Sequence, residues 1–141
     1  MRKIFLTFLI SLTLISCKGQ NEKIDIDIIG EWKSEDKSGV GYVIFDDEGY
    51  ANFNFEDFKL GGKEFVRNGK KFSLSYTLDY STNPIHLDLT FRNIETNKEM
   101  KMLGIVKPVS VNEILYARGN GNSKRPTNFR GIETIRLNRI K

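Results

Sequence analysis

The sequence predicts an all-β fold, an up-and-down antiparallel β-barrel of about eight strands, and three observations predict it. Apolar residues recur at every second position along most of the chain, turn residues interrupt that alternation at intervals of about eight to twelve positions, and helical periodicity is nowhere sustained. A chain of 141 residues fits one domain. A domain of that size buries roughly two-thirds of the surface its unfolded form exposes, so it can build a core without disulfides or metals.

The first element is an export signal. Arg2 and Lys3 precede an apolar stretch over residues 4–15 broken only by Thr7, Ser11 and Thr13. About 20 apolar residues are needed to cross a bilayer, so this shorter run over residues 1–16 reads as a cleaved secretory signal. It ends in Leu14, Ile15, Ser16 and Cys17, which resembles the lipobox of bacterial lipoproteins. The resemblance implies a diacylglycerol on the Cys17 thiol, cleavage before Cys17 and acylation of the new amine. One acyl chain holds a membrane only marginally, at about 0.8 kcal/mol per buried CH₂, whereas two or more anchor it stably, so Cys17 is expected to be a covalent tether to membrane lipid. Residues 17–29 are expected to be tether and lead-in: 18–23 is polar, and Ile24, Ile26 and Ile28 alternate with Asp25 and Asp27. Some lipoproteins sent to the outer surface carry an acidic run after the cysteine. Here Glu22 stands alone, which favours a periplasm-facing position in the bacterial cell envelope.

The barrel domain is expected over residues 30–141. Its first strand opens at Gly30-Glu31-Trp32, and residues 40–45 and 50–55 form a hairpin across Asp46-Asp47-Glu48-Gly49. The stretch with Phe58, Leu60 and Gly61-Gly62 is compatible with a short helix, and residues 63–67 with a short strand. Asn68-Gly69 is the strongest hairpin signal, because both residues tolerate the positive φ of a type I′ turn. Phe72, Leu74, Tyr76 and Leu78 alternate with Ser73, Ser75, Thr77 and Asp79, and Ile85, Leu87, Leu89 and Phe91 with His86, Asp88, Thr90 and Arg92. Each of these strands therefore has one apolar and one polar face. Residues 100–106 form the next strand, ended by Pro108, and 113–118 follows. The polar loop 119–131 leads to a closing strand over 134–140. Closing the meander removes edges that would otherwise aggregate.

Composition narrows the function. The net charge is +4, half of it from Arg2 and Lys3 in the signal, and the basic residues form no run interleaved with aromatics, so no nucleic-acid partner is expected. Cys17 is the single cysteine, which excludes a disulfide and a cysteine metal site. His86 is the single histidine, and it shares a polar strand face with Asp88. A nucleophilic triad with Ser73 or Ser75 would point to solvent if the apolar face lines the barrel. Asp46-Asp47-Glu48 reads as a turn rather than a calcium loop, and residues 119–124 lack the strand-to-helix context of a phosphate loop. The chain is therefore read as a non-enzyme without catalytic residues, metal or cofactor.

Gly30-Glu31-Trp32 resembles the G-x-W signature of lipocalins. In that family the tryptophan packs at the closed end of the barrel under an arginine from near the last strand, a part that Arg136 or Arg139 would play here. Tyr76-Thr77-Leu78-Asp79, Pro84 with Leu87-Asp88-Leu89, and Arg125-Pro126 with Phe129 are similar in spacing to small bacterial lipocalin-like domains. The resemblance covers most of residues 30–141 and implies the barrel fold.

Two functions follow. A binding module would hold a small apolar or amphipathic ligand against inward residues including Phe53, Phe72, Tyr76 and Leu89, with Tyr42 and Tyr116 as polar handles at the rim. An interaction module of the inhibitor or immunity type would instead have a filled barrel and present an outer face to an envelope protein. A barrel of this size is just wide enough for either outcome. A hydrolase ranks third.

Overall fold

The two-residue period is realised as ten strands, with no helix, in the part of the chain that the computed structural model describes, residues 24–36, 39–119, 124–131 and 133–140. The segment read as an export signal and Cys17 lie outside these residues. The strands are β1 (Gly30–Asp36), β2 (Gly39–Phe45), β3 (Ala51–Phe55), β4 (Phe58–Arg67) and β5 (Lys70–Asp79), then β6 (Ile85–Asn93), β7 (Glu99–Met102), β8 (Gly104–Ser110), β9 (Glu113–Arg118) and β10 (Thr134–Arg139). Every pairing is antiparallel, and β1 pairs with β10 to close the ring. β7 and β8 keep one register against β6, with Met102 opposite Leu89 and Val106 opposite Ile85. They act as one strand interrupted at Leu103, so the closed barrel has nine strands.

A ring of antiparallel neighbours closes only with an even number of strands, and β4 resolves the conflict by turning a corner. Its residues up to Gly61 pair with β3, while Gly62 and those beyond pair with β5, with a shift of register between Gly62 and Phe65. Tyr50, just ahead of β3, bridges directly to Ser75 of β5. The short helix compatible with residues 58–62 is thus replaced by a bulged strand, because the Gly61-Gly62 pair accepts the bend while both flanks keep their ladders. Pro108 likewise does not end its strand. β8 continues to Ser110 across a register shift, the irregularity at which a residue without an N–H is tolerated in a sheet. Asn68 and Gly69 have φ of 51° and 72°, the positive values a type I′ turn demands.

The half of the barrel nearest the chain's lead-in is solidly packed. Trp32, Phe45, Leu74, Leu87, Ile114 and Leu137 are fully buried there, and Ile26 and Ile28 join them from below while Asp25 and Asp27 stay exposed. The lead-in is therefore part of the packed unit, which begins before residue 30. The Trp32 indole donates Nε1–H to the Ile28 carbonyl at 2.9 Å, and the Tyr80 hydroxyl donates to that of Ile26 at 3.3 Å.

The break between β7 and β8 is patched from outside. Asp88 accepts the Gly104 N–H at 3.2 Å, and Arg125, reaching back from the 124–131 loop, donates to the Gly104 carbonyl at 2.6 Å. The two side chains join through a bidentate ion pair of 2.5 and 2.9 Å. They meet the backbone groups that the interrupted ladder leaves over. Burial pushes the Asp88 carboxyl up, but the Arg125 and Gly104 hydrogen bonds outweigh it and hold the group below its ordinary value. A carboxylate depressed on folding contributes stability in full above its unfolded value of about 3.9 and loses it as pH falls through the folded value. Acid titration of the denaturation midpoint should therefore show a drop below about pH 4 that is shallower in Asp88→Asn. Equal slopes in the two proteins would remove Asp88 from the acid response.

Candidate functional site

The other half of the barrel is not filled. It encloses an apolar cavity of about 410 Å³, within the range of roughly 300–1,000 Å³ found for small-molecule sites. Its walls are Phe53 of β3, Leu60 of β4, Leu89 and Phe91 of β6, Met102 of β7 and Ile135 of β10, with Val43 and Tyr116 towards the packed half. The hydrophobic alternation puts them there: on each strand the residues in step with the core continue upward as cavity wall. At the mouth, Phe55 and Phe58 close the β3–β4 hairpin, stacked with ring centroids 5.5 Å apart and planes at 7°, yet 43% and 45% exposed. The other lip carries Arg118 and Glu133, ion-paired at 2.8 Å, with Arg118 also donating to Met102 Sδ at 3.7 Å.

Tyr116 is the polar residue set deepest in this wall. It is 2% exposed, and its hydroxyl is buried without a hydrogen-bond partner among the described residues. Its ring lies against Gly104, where a Cβ would come within 2.7 Å of Tyr116 Cε2 and 2.6 Å of the Leu87 carbonyl oxygen. The missing side chain at Gly104 is what makes room for the phenol. Burial raises the Tyr116 pKa far above its usual value, with Arg118 opposing in part, so the group is a neutral donor throughout the physiological range.

Compared with known proteins, the chain matches no family model, no curated protein and no solved structure. The site rests on its own geometry.

Of the residues expected to meet a ligand, Phe53, Leu89 and Tyr116 converge on the cavity. Tyr116 lies inside the barrel rather than at the rim. Tyr76 sits in the packed half, edge-on to Phe45 with centroids 5.0 Å apart, and its hydroxyl donates to the Asp46 carbonyl at 2.7 Å. Phe72 packs against Phe65 of the neighbouring strand instead of lining the cavity. Tyr42 is a clear correction: Gly41 and Val43 face inward, so Tyr42 between them faces out, over a surface groove with Lys33 and Asn54. Sequence reasoning missed Leu60, Met102, Arg118, Glu133 and Ile135. Leu60 was hidden by the helix reading of its segment, whereas Ile135 stood in plain alternation with Leu137.

At the closed end, Arg139 is the arginine over the indole, its guanidinium carbon 4.2 Å from the ring centroid. It donates to the carbonyls of Ile29 at 2.8 Å, of Val111 at 3.4 Å and of Asp27. Arg136 lies on the opposite face of β10 and pairs with Glu113. The serines weighed against His86 are separated from it by register: Ser75 lies opposite Thr90 and Ser73 opposite Arg92, whereas His86 faces Asp79.

Proposed function

We propose that this protein is a lipid-anchored carrier of the bacterial cell envelope, a lipocalin-like barrel held at the membrane through Cys17 that takes up one small apolar or amphipathic molecule. The half-filled interior carries this reading. A barrel serving only as a scaffold for contacts gains stability by filling both halves, and an apolar cavity forgoes the packing it would provide. The arginine laid over Trp32 supports the lipocalin-like reading. Ile26 and Ile28 of the lead-in pack into the filled half of the barrel, away from the cavity mouth.

A soluble form starting after Cys17 should bind an environment-sensitive apolar dye saturably with one-to-one stoichiometry. Leu89→Trp, which fills the cavity from its wall, should abolish binding while retaining a cooperative unfolding transition, and Met102→Trp, beside it on the neighbouring strand, should weaken it. Absence of saturable binding would replace the carrier with the protein-interaction reading, for which the exposed Phe55–Phe58 stack is the contact surface. The tether has its own test: Cys17→Ala should leave unprocessed precursor and lose incorporation of labelled fatty acid, and continued labelling would refute the assignment.

A further inference from the structure

We infer that the packed end of the barrel is a membrane-docking surface, seated on the bilayer to which Cys17 tethers the chain. The inference rests on the tether of the proposed function and adds how the barrel stands on its membrane. Among the described residues, five apolar side chains are exposed at this end: Ile29 at 42%, Tyr80 at 42%, Val109 at 41%, Val111 at 61% and Ile140 at 45%. They are not scattered. The Arg139 guanidinium donates to the carbonyls of both Ile29 and Val111, Ile140 follows Arg139 in the chain, and Val109 stands two residues before Val111. On the other flank of the lead-in, the Tyr80 hydroxyl donates to the Ile26 carbonyl, and Tyr80 lines a groove with Ile24 and Ile85. Single exposed apolar residues are ordinary on a protein surface, whereas a cluster marks a surface that something covers.

The tether names the occupant. Residues 18–23 separate Cys17 from Ile24, and at no more than about 3.6 Å per residue they hold Ile24 within roughly 25 Å of the anchor whatever path they take. Ile26 and Ile28 then enter the filled half, so this end of the fold is the part brought to the bilayer. The cavity mouth stands farther off. β9 runs from Glu113, beside the turn that carries Val111, to Arg118 at the mouth, about 17 Å at the rise of a strand. A covalent link raises the effective concentration of bilayer surface to about the millimolar range, so a contact of a few side chains, too weak to hold a free protein, suffices to orient a tethered one. Charge does not drive the contact, because Asp25, Asp27 and Glu113 offset Lys107, Arg136 and Arg139 around it. The apolar side chains enter the boundary between headgroups and acyl chains, with no need for anionic lipid. Docked in this way, the barrel turns its mouth to the aqueous space, and its ligand arrives through water rather than sideways from the anchoring bilayer.

The test uses the mature lipidated protein reconstituted in phosphatidylcholine vesicles. Its Cys17 sulfur is alkylated by the diacylglycerol, so a cysteine introduced elsewhere is the single free thiol. Val111→Cys, Ile140→Cys and Asp57→Cys, the last on the β3–β4 hairpin at the mouth, each carry an environment-sensitive fluorophore, and two quenchers are compared: lipids brominated on their acyl chains, and aqueous iodide. Labels at 111 and 140 should lose emission to the brominated lipids and be shielded from iodide, whereas the label at 57 should behave in the opposite way. Adding Val109→Asp to the Ile140→Cys protein should return the label at 140 to iodide, and because Val109 is exposed the variant should keep the parent's unfolding midpoint. Lipid quenching at 57 with 111 and 140 open to iodide would seat the mouth on the membrane and overturn the inference. So would all three labels open to iodide, a barrel standing free of the bilayer, or 111 and 140 shielded from iodide without lipid quenching, a second protein copy covering the packed end. Each of these outcomes leaves the tether standing. Loss of the parent protein from washed vesicles, with Cys17 itself taking up the fluorophore, would overturn the tether and the docking together.

Discussion

Trp32→Ala is expected to lower the unfolding free energy by about 3–5 kcal/mol, the range for truncating a large buried aromatic. Trp32 is 0% exposed and sits among Ile28, Phe45 and Leu137 at the floor of the packed half. Removing the ring opens a cavity that the surrounding strands cannot collapse into, because they are held by ladders on both sides. It also leaves the Ile28 carbonyl without its indole donor and takes away the surface on which Arg139 lies. The last loss is about 0.5–2 kcal/mol, depending on how far the guanidinium is desolvated. Against a total stability of about 5–15 kcal/mol for a domain, the substitution removes a large fraction. Arg139→Ala should cost less, about 1–2 kcal/mol, through the lost cation–π contact and the released lead-in carbonyls. Arg136→Ala should cost less still, about 0.5–1 kcal/mol, through the ion pair of an exposed arginine with the part-buried Glu113. Urea denaturation of the three variants checks the order. A Trp32→Ala midpoint equal to the parent's would end the closing role assigned to the indole.

What the sequence made legible follows from where one physical signal dominates. Leu74, Leu87 and Leu89 were readable as inward because strict alternation leaves no other face for them, and Asn68-Gly69 because two consecutive positive φ values have few other residues to satisfy them. β4 was not readable, since its bend is fixed by three strands meeting at Gly61-Gly62, and no local pattern encodes a meeting of distant segments. Tyr42 shows the same limit from another side. Its amphipathic ring suits either face of a strand, and only the register of its neighbours Gly41 and Val43 decides that it points outward. At the site, the inward faces of Phe53 and Leu89 follow from alternation, whereas neither the depth of Tyr116, expected at the rim, nor the cavity's place in one half of the barrel does. Whether an interior is filled depends on volumes summed over every strand, and Gly104, which makes space for Tyr116, carries no signature distinguishing it from a turn glycine.

Gly61→Ala is expected to be the other severe substitution, at about 2–6 kcal/mol, from backbone strain and overpacking acting together. Gly61 holds φ at +119°, a conformation L side chains rarely adopt, and an added Cβ would stand 2.2 Å from the Ala51 carbonyl oxygen and 2.8 Å from Asn52 Cα. Both neighbours are backbone atoms of a paired strand, so neither can rotate aside as a side chain would. Relief requires β4 to move off β3, and β4 is the strand whose bend lets the antiparallel ring close. Gly69→Ala separates the two contributions, because Gly69 also has positive φ, +72°, with nothing within 4 Å of the added atom. It should cost about 1–2 kcal/mol, the strain alone. The bend also sets the β3–β4 hairpin that carries Phe55 and Phe58 to the cavity mouth, so Gly61→Ala should weaken dye binding under conditions where the protein remains folded, and Gly69→Ala should not. If the two alanine variants unfold at the same denaturant concentration and bind dye equally well, the corner at Gly61 is not the rigid element that closes the barrel.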